Sequence, residues 1–236
     1  MEQIIGDKIV RFNQNLNFDG ILPEGYIVLN PFLDNTEALF VMKSFYQKYY
    51  SDNNPRTLIL GINPGRNGAG VTGVPFTDTK RLSDYCDIKM NSAQTHEISS
   101  VFIYDMIQSF GGVEKFYKQF YFNSPFPLAI LRKTVKNKLV NANYYDSDQL
   151  FEYTKPFMIK CLKNHIEIAG TSKTVFVLGK KNSYFISLIN KEAKLFENIV
   201  VLDHPRFIQQ YRSKSKDLYI KQYIDILRYE QNNKKV

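Results

Sequence analysis

The sequence predicts an α/β protein, a three-layer α/β/α sandwich around a central, mostly parallel four-stranded sheet, and three observations carry that expectation. Short apolar runs recur along the chain at Thr57–Leu60, residues 120–122, Thr174–Leu178 and residues 199–202. Segments whose apolar residues fall at helical spacing separate these runs. No internal repeat, low-complexity stretch or linker rich in Gly, Ser or Pro interrupts the order. Strands that are apolar throughout, rather than alternating, belong to a sheet covered on both faces. A chain of 236 residues holds one ample core of this kind, so a single domain over residues 1–236 is expected.

In chain order, residues 37–50 place Leu39, Val41, Met42, Phe45 and Tyr49 on one helical face, ahead of a turn at residues 53–55. The strand Thr57–Leu60 runs directly into residues 61–65. Ser99 or Ser100 is placed to cap a helix through Phe110, which Gly111 and Gly112 terminate. Residues 120–122 form a strand ending at Asn123-Ser124-Pro125. Asp148–Ala169 is the longest helical pattern, and Gly170 closes it. The strand Thr174–Leu178, a helix over residues 182–193 and a strand over residues 199–202 follow, the last delivering Asp203-His204-Pro205. Residues 216–229 make the final helix. Ligands bind at the carboxyl ends of strands in parallel sheets. Residues 61–65, Asn123 and His204 each follow a strand, so one cleft is predicted to hold all three.

Composition narrows the partner. The chain carries 31 Lys and Arg against 23 Asp and Glu, a formal charge of +8, which favours a polyanion without choosing among DNA, RNA and acidic lipid. From His204 onward, Arg206, Arg212, Lys214, Lys216, Lys221, Arg228, Lys234 and Lys235 face only Asp217, Asp225 and Glu230. Lys234 and Lys235 read as a solubilising tail. The 18 Phe and 16 Tyr are expected mostly in the core. Cys86 and Cys161 are too few and too far apart for a zinc site or an iron–sulfur cluster. No apolar run spans a bilayer, and residues 1–12 are too polar for a signal peptide. An intracellular protein is expected, with reduced thiols and with no metal or other cofactor.

The most informative segment is Gly61-Ile62-Asn63-Pro64-Gly65 and the residues after it, to Pro75-Phe76, with five glycines in sixteen residues. Glycine at this density marks backbone turning through positive φ or approached closely by a ligand. Gly68-Ala69-Gly70-Val71-Thr72-Gly73 formally fits the dinucleotide fingerprint, but it opens no helix after a strand; a Walker loop would need Gly-Lys-Ser/Thr. The segment instead resembles the first motif of the uracil-DNA glycosylase superfamily in its single-strand-selective monofunctional branch. That motif has the form Gly-Met-Asn-Pro-Gly, followed at fixed distance by Thr-Gly-Val-Pro-Phe. Residues 61–65 and 72–76 keep the spacing, with Ile62 in place of Met.

The resemblance implies a DNA-repair glycosylase that flips out a damaged base and hydrolyses its N-glycosidic bond. Asn63 would position the attacking water, and Phe76, which taken alone could equally be a core ring, would stack on the base. Gly61, Ile62, Pro64, Gly65 and Gly70 would line the pocket. Gly68, Ala69 and Gly70 replace bulkier family residues, which implies a roomier pocket, open to xanthine or hypoxanthine as well as uracil.

His204-Pro205 resembles the second motif, a His-Pro-Ser-Pro loop after the last strand. His204 would donate a hydrogen bond to the departing base. His96 reads as a solvated loop residue and His165 as a surface or capping one. Arg206, Phe207, Gln209, Arg212 and Lys214 would contact DNA, although His-Pro-Arg-Phe departs from the family pattern and marks a divergent sister group. Asn123 would read the base through its carboxamide, or is simply a turn residue before Pro125; both readings stand. The implied partner is DNA with deaminated bases, single- or double-stranded, met by a monomer where the DNA resides. Two rivals remain: an inactive nucleic-acid-binding protein of the same fold, and a hydrolase using Asp203 and His204, for which no Gly-x-Ser-x-Gly elbow is present.

Overall fold

The computed structural model describes residues 3–233; the predicted tail lysines Lys234 and Lys235 lie outside them. In chain order the elements are α1 (Ile5–Gln14), β1 (Tyr26–Leu29), α2 (Pro31–Asp34), α3 (Thr36–Tyr49), β2 (Thr57–Leu60), α4 (Ala69–Thr72), α5 (Thr79–Cys86), α6 (Ile98–Phe110), α7 (Val113–Tyr117), β3 (Phe120–Asn123), β4 (Ala129–Lys133), β5 (Leu139–Ala142), α8 (Asp148–Ala169), β6 (Thr174–Leu178), α9 (Lys180–Ala193), β7 (Asn198–Leu202), α10 (Pro205–Tyr211) and α11 (Lys216–Asn233).

The central sheet has the order β3-β2-β6-β7, and all its neighbours run parallel. The predicted three-layer α/β/α arrangement is therefore observed. Every residue of β2, β3 and β6 is buried, as their unbroken apolar runs require. Leu60 and Asn123 are register partners, so the loops after β2 and β3 leave the sheet side by side. The loop after β7 leaves the same edge two strands away. That common edge is where the site forms.

Local sequence explains the helix boundaries. The Asn35 side chain accepts hydrogen bonds from the backbone N–H groups of Glu37 and Ala38 at the start of α3. The Ser147 hydroxyl accepts from Leu150 N–H at the start of α8, and Gly170 ends that helix in the left-handed region, at φ 72°. The expected cap of α6 by Ser99 or Ser100 is not what forms. The helix starts two to three residues earlier, after Glu97. The Ser100 hydroxyl instead donates to the Asp78 carboxylate and the Glu97 carbonyl.

A second sheet, antiparallel and ordered β1-β4-β5, had no counterpart in the sequence reading. Its hairpin turns at Asn137, whose φ of 58° lies where asparagine is among the tolerated residues. His165 is a correction: expected at the surface or as a cap, it is fully buried. Its ring packs edge-on to Phe12 with centroids 4.8 Å apart, and its Nδ1 lies 3.3 Å from the Tyr121 hydroxyl. Burial lowers its pKa to about 3, so it is a neutral core residue. His96 is a loop residue, as expected, with its Nδ1 against the Arg81 guanidinium.

Candidate active site

A cavity of about 330 Å³ opens at the carboxyl edge of the central sheet, within the size range of small-molecule sites. Gly61, Ile62, Asn63, Pro64 and Gly65 form one wall, with Ala69, Pro75 and Phe76 behind them. Glu97, Ser99 and Ser124 contribute from the start of α6 and the loop after β3, Asn141, Ala142 and Asn143 from the end of β5, and His204, Arg206, Phe207, Gln210 and Tyr211 from the cap and length of α10. The first and second motif segments thus meet across one cavity, although 141 residues separate Asn63 from His204.

Asn63 is held by the antiparallel sheet. Its Nδ2 donates to the Ala142 carbonyl at 3.0 Å and to the Pro64 carbonyl at 3.3 Å, while its Oδ1 accepts from the Tyr144 N–H at 3.1 Å. A backbone N–H can only donate and a carbonyl only accept, so these partners fix which end of the carboxamide is oxygen. Both Nδ2 hydrogens are engaged, and the capacity left is a lone pair on Oδ1. The clamp is itself braced. The Tyr144 hydroxyl donates to Asn182 Oδ1 at 2.7 Å, and buried Asn182 donates through Nδ2 to the carbonyls of Gly61 and Leu178. The loop is further pinned where the Arg66 N–H donates to Asn141 Oδ1 and its guanidinium to the Leu139 carbonyl.

Phe76 takes a strained backbone, φ 55°, a conformation non-glycine residues hold only when the surroundings impose it. Its ring lies over Gly61: a Cβ there would come within 2.7 Å of the ring. The same ring sits 5.2 Å, centroid to centroid, from Phe122. Glycine at 61 is therefore needed to seat Phe76 on the cavity wall.

His204 is set by its own helix. It is the residue before α10, Pro205 occupies the first helical position, and His204 Nδ1 accepts from the Arg206 backbone N–H at 3.2 Å. With Nδ1 accepting, the proton of the neutral ring resides on Nε2. Desolvation, with a smaller contribution from Arg206, lowers the pKa to about 4, so the ring is neutral near pH 7. Gly179, at φ 97°, makes room behind it: a Cβ there would stand 3.3 Å from the His204 Cβ. The Tyr223 hydroxyl donates to the Asp203 carbonyl and ties the loop to α11.

Not every expected residue reaches the wall. Gly70 does not line it, and the glycines at 68 and 70 do not widen it. A Cβ on Gly70 would strike the Gly65 carbonyl oxygen at 2.7 Å, and the space beside Gly68 is filled by the Glu97 carboxyl. These glycines let the loop fold on itself. Asn123 is buried behind the wall. Its Nδ2 donates to the Tyr121 hydroxyl at 2.7 Å and its Oδ1 accepts from the Ser124 N–H at 2.9 Å, and Ser124 takes the lining position. Gln209 is half-buried on α10 with its Oε1 out of solvent. Arg212 is exposed just past α10, its guanidinium 5.4 Å from the Phe207 ring centroid, and Lys214 is exposed in the following turn. Exposed Arg206, Phe207 and Tyr211 form the rim. Glu97, Ser124, Asn141, Asn143 and Gly179 went unnoticed in the sequence, since only the fold brings their segments to the cavity or against His204.

A doubly covered parallel sheet thus brings a fixed carboxamide and a neutral imidazole to one cavity with a basic, aromatic rim. The family model of the Uracil DNA glycosylase superfamily matches residues 47–228, and the chain belongs to that superfamily. Its structure is similar to "The crystal structure of WT Pedobacter heparinus SMUG2", at 45% sequence identity and a TM-score of 0.94, covering 98% of this chain and 100% of that one. None of the curated proteins matches the chain. The resemblance to the single-strand-selective branch holds.

Proposed function

We propose that the protein is a monofunctional glycosylase that extrudes uracil from DNA and hydrolyses its N-glycosidic bond through a dissociative transition state. In this reading the C1′–N1 bond breaks first and its electron pair leaves with the base. The charge that develops on the uracil O2 meets the Nε2–H of His204. A neutral imidazole suffices because the base departs as a delocalised anion. A preorganised donor at such a position contributes roughly 10²–10³ in rate. Water then adds to the C1′ of the oxocarbenium ion. The free lone pair of Asn63 Oδ1 accepts a hydrogen bond from that water, which leaves a water lone pair to point at C1′. An amide is a weak base, and attack on an oxocarbenium ion does not demand a strong one.

Phe76 would stack on the extruded base, worth about 1–3 kcal/mol by analogy with base–aromatic stacking elsewhere. Ser124, which lines the cavity beside the buried Asn123, would meet the base there, and Asn123 would act on the base through the turn it holds by accepting from the Ser124 N–H. Arg206, Phe207, Gln209, Arg212 and Lys214 would meet the DNA around the gap. Xanthine and hypoxanthine offer the same N–H and C=O pair as uracil and are proposed as further substrates. The observation that carries the reading is the fixed tautomer of His204 across one cavity from the fixed carboxamide of Asn63.

Single- and double-stranded oligonucleotides, each with one uracil, xanthine or hypoxanthine, test it when incubated with the pure protein and then treated with alkali. Abasic sites that form with wild type and vanish with His204→Ala and Asn63→Ala are expected. Salt-dependent binding without abasic sites would leave a DNA-binding protein that has lost its chemistry.

A further inference from the structure

Glu97 brings a carboxyl group to the cavity wall that the scheme above does not use. It stands immediately before α6, and among the described residues its Oε2 is buried without a hydrogen-bond partner. The carboxyl lies against bare backbone of the first motif loop: Oε2 would be 2.2 Å from a Cβ on Gly68, and Oε1 3.6 Å from one on Gly65. The neighbouring buried carboxylate, Asp78, is differently placed. It accepts from the Arg81 N–H and guanidinium, the Glu97 N–H and the Ser100 hydroxyl. Glu97 has a cavity before it instead of donors.

The charged groups acting on Glu97 are Asp78 before α5 and Arg206 on α10, with His96 beside it in the chain, Arg81 against Asp78 and Arg66 further along the first motif loop. The Arg66 guanidinium is committed to the Leu139 carbonyl, and Arg81 to Asp78 and His96. Desolvation, then repulsion from Asp78, outweigh the attraction of Arg206 and raise the Glu97 carboxyl from 4.5 to about 7. Oε2 is packed against Gly68, so Oε1 is the oxygen left to the cavity, and in the protonated form it can carry an O–H donor that the carboxylate lacks. The carbonyl of a deaminated base accepts from such a donor, and deaminated purines carry theirs further from the sugar than uracil does.

We propose that Glu97 is a specificity-determining residue of the site, hydrogen-bonding the extruded base through Oε1, beside Gly65, and favouring deaminated purines over uracil. The proposal rests on the glycosylase reading and adds the group that ranks its substrates.

The test is single-turnover release of hypoxanthine and of uracil from otherwise identical oligonucleotides. Wild type, Glu97→Gln and Glu97→Ala are compared between about pH 5.5 and about pH 9, on either side of the carboxyl's titration. For wild type the hypoxanthine-to-uracil rate ratio falls about tenfold as pH rises through about 7, the scale of one hydrogen bond lost to a charged group. Glu97→Gln keeps a donor and an acceptor at every pH and holds a constant ratio. Glu97→Ala lowers hypoxanthine release about tenfold more than uracil release at low pH. Melting temperatures show whether each variant is folded, and both retain the backbone N–H that bonds Asp78. A ratio that is the same in all three proteins at all pH values overturns the assignment, as does a wild type that releases uracil and never a purine. A wild type that releases no base from any oligonucleotide overturns the glycosylase reading itself, and this assignment with it.

Discussion

Asn63 and His204 face the same cavity, but they are held there in opposite ways. The imidazole of His204 is oriented by a hydrogen bond from a backbone group two residues away, within a helix start that Pro205 imposes. The carboxamide of Asn63 is oriented by Ala142 and Tyr144, 79 and 81 residues further along the chain. One side chain is thus placed locally and the other by tertiary structure. A local device tolerates change in its surroundings, whereas a remote clamp passes every displacement of the second sheet on to the group it holds.

The largest effect should come from removing the locally held donor. His204→Ala is expected to lower the single-turnover rate by roughly 10²–10³ while substrate affinity changes little. A loss of affinity with an unchanged rate would make His204 a binding residue and break the comparison. Gly179→Ala tests whether the imidazole is as self-contained as its cap suggests. The new Cβ meets a backbone at φ 97° and a His204 Cβ at 3.3 Å. A stability loss of about 1–3 kcal/mol is expected in denaturant titrations, with a rate loss of about tenfold. Wild-type activity in a destabilised variant would show His204 independent of β6.

Tyr144→Phe probes the remote clamp at one remove. It deletes the hydroxyl that bonds Asn182 while leaving the N–H that bonds Asn63. The expected cost is about 1 kcal/mol of stability and a rate reduced by a few-fold, read by the same two measurements. A rate reduced as far as in Asn63→Ala would show that the brace, not the N–H alone, sets the carboxamide. The smallest effect concerns pH. His204 and His165 have pKa values lowered to about 4 and about 3 in the folded protein, from 6.5. Below pH 6.5 the unfolded chain binds protons that the folded one refuses, so stability is lost as pH falls from 6.5 towards 4 and is insensitive to these groups above 6.5. Melting temperatures over that range check it, and His204→Gln should remove part of the slope.

The same division between local and remote explains what the sequence revealed. The strands β2, β3 and β6 were legible because burial on both faces leaves an unbroken apolar signature, and the partly exposed β7 from its apolar run alone. The two motif loops were legible because their spacing is written in consecutive residues. The antiparallel sheet was not, because β4 and β5 mix Arg132, Lys133 and Asn141 with apolar residues and owe their pairing to each other. His165 was misplaced because a histidine on a long helix gives no sign of which face it occupies. Phe12 and Tyr121, which enclose it, come from distant segments. Glu97 sat beside His96 in a polar stretch, and only the folding of Gly65 and Gly68 against its carboxyl makes it a pocket residue.

The reach of the Asn63 clamp has a consequence for biosynthesis. A growing chain that has left the ribosome only as far as α7 already carries the whole first motif, yet its carboxamide has no partner to orient it. The hairpin of β4 and β5 must emerge and dock before that group is aimed, and the imidazole arrives later still. On the proposed scheme, chemistry on DNA therefore waits until α10 has formed beside that hairpin, and shorter chains should be harmless to the DNA they would later act on.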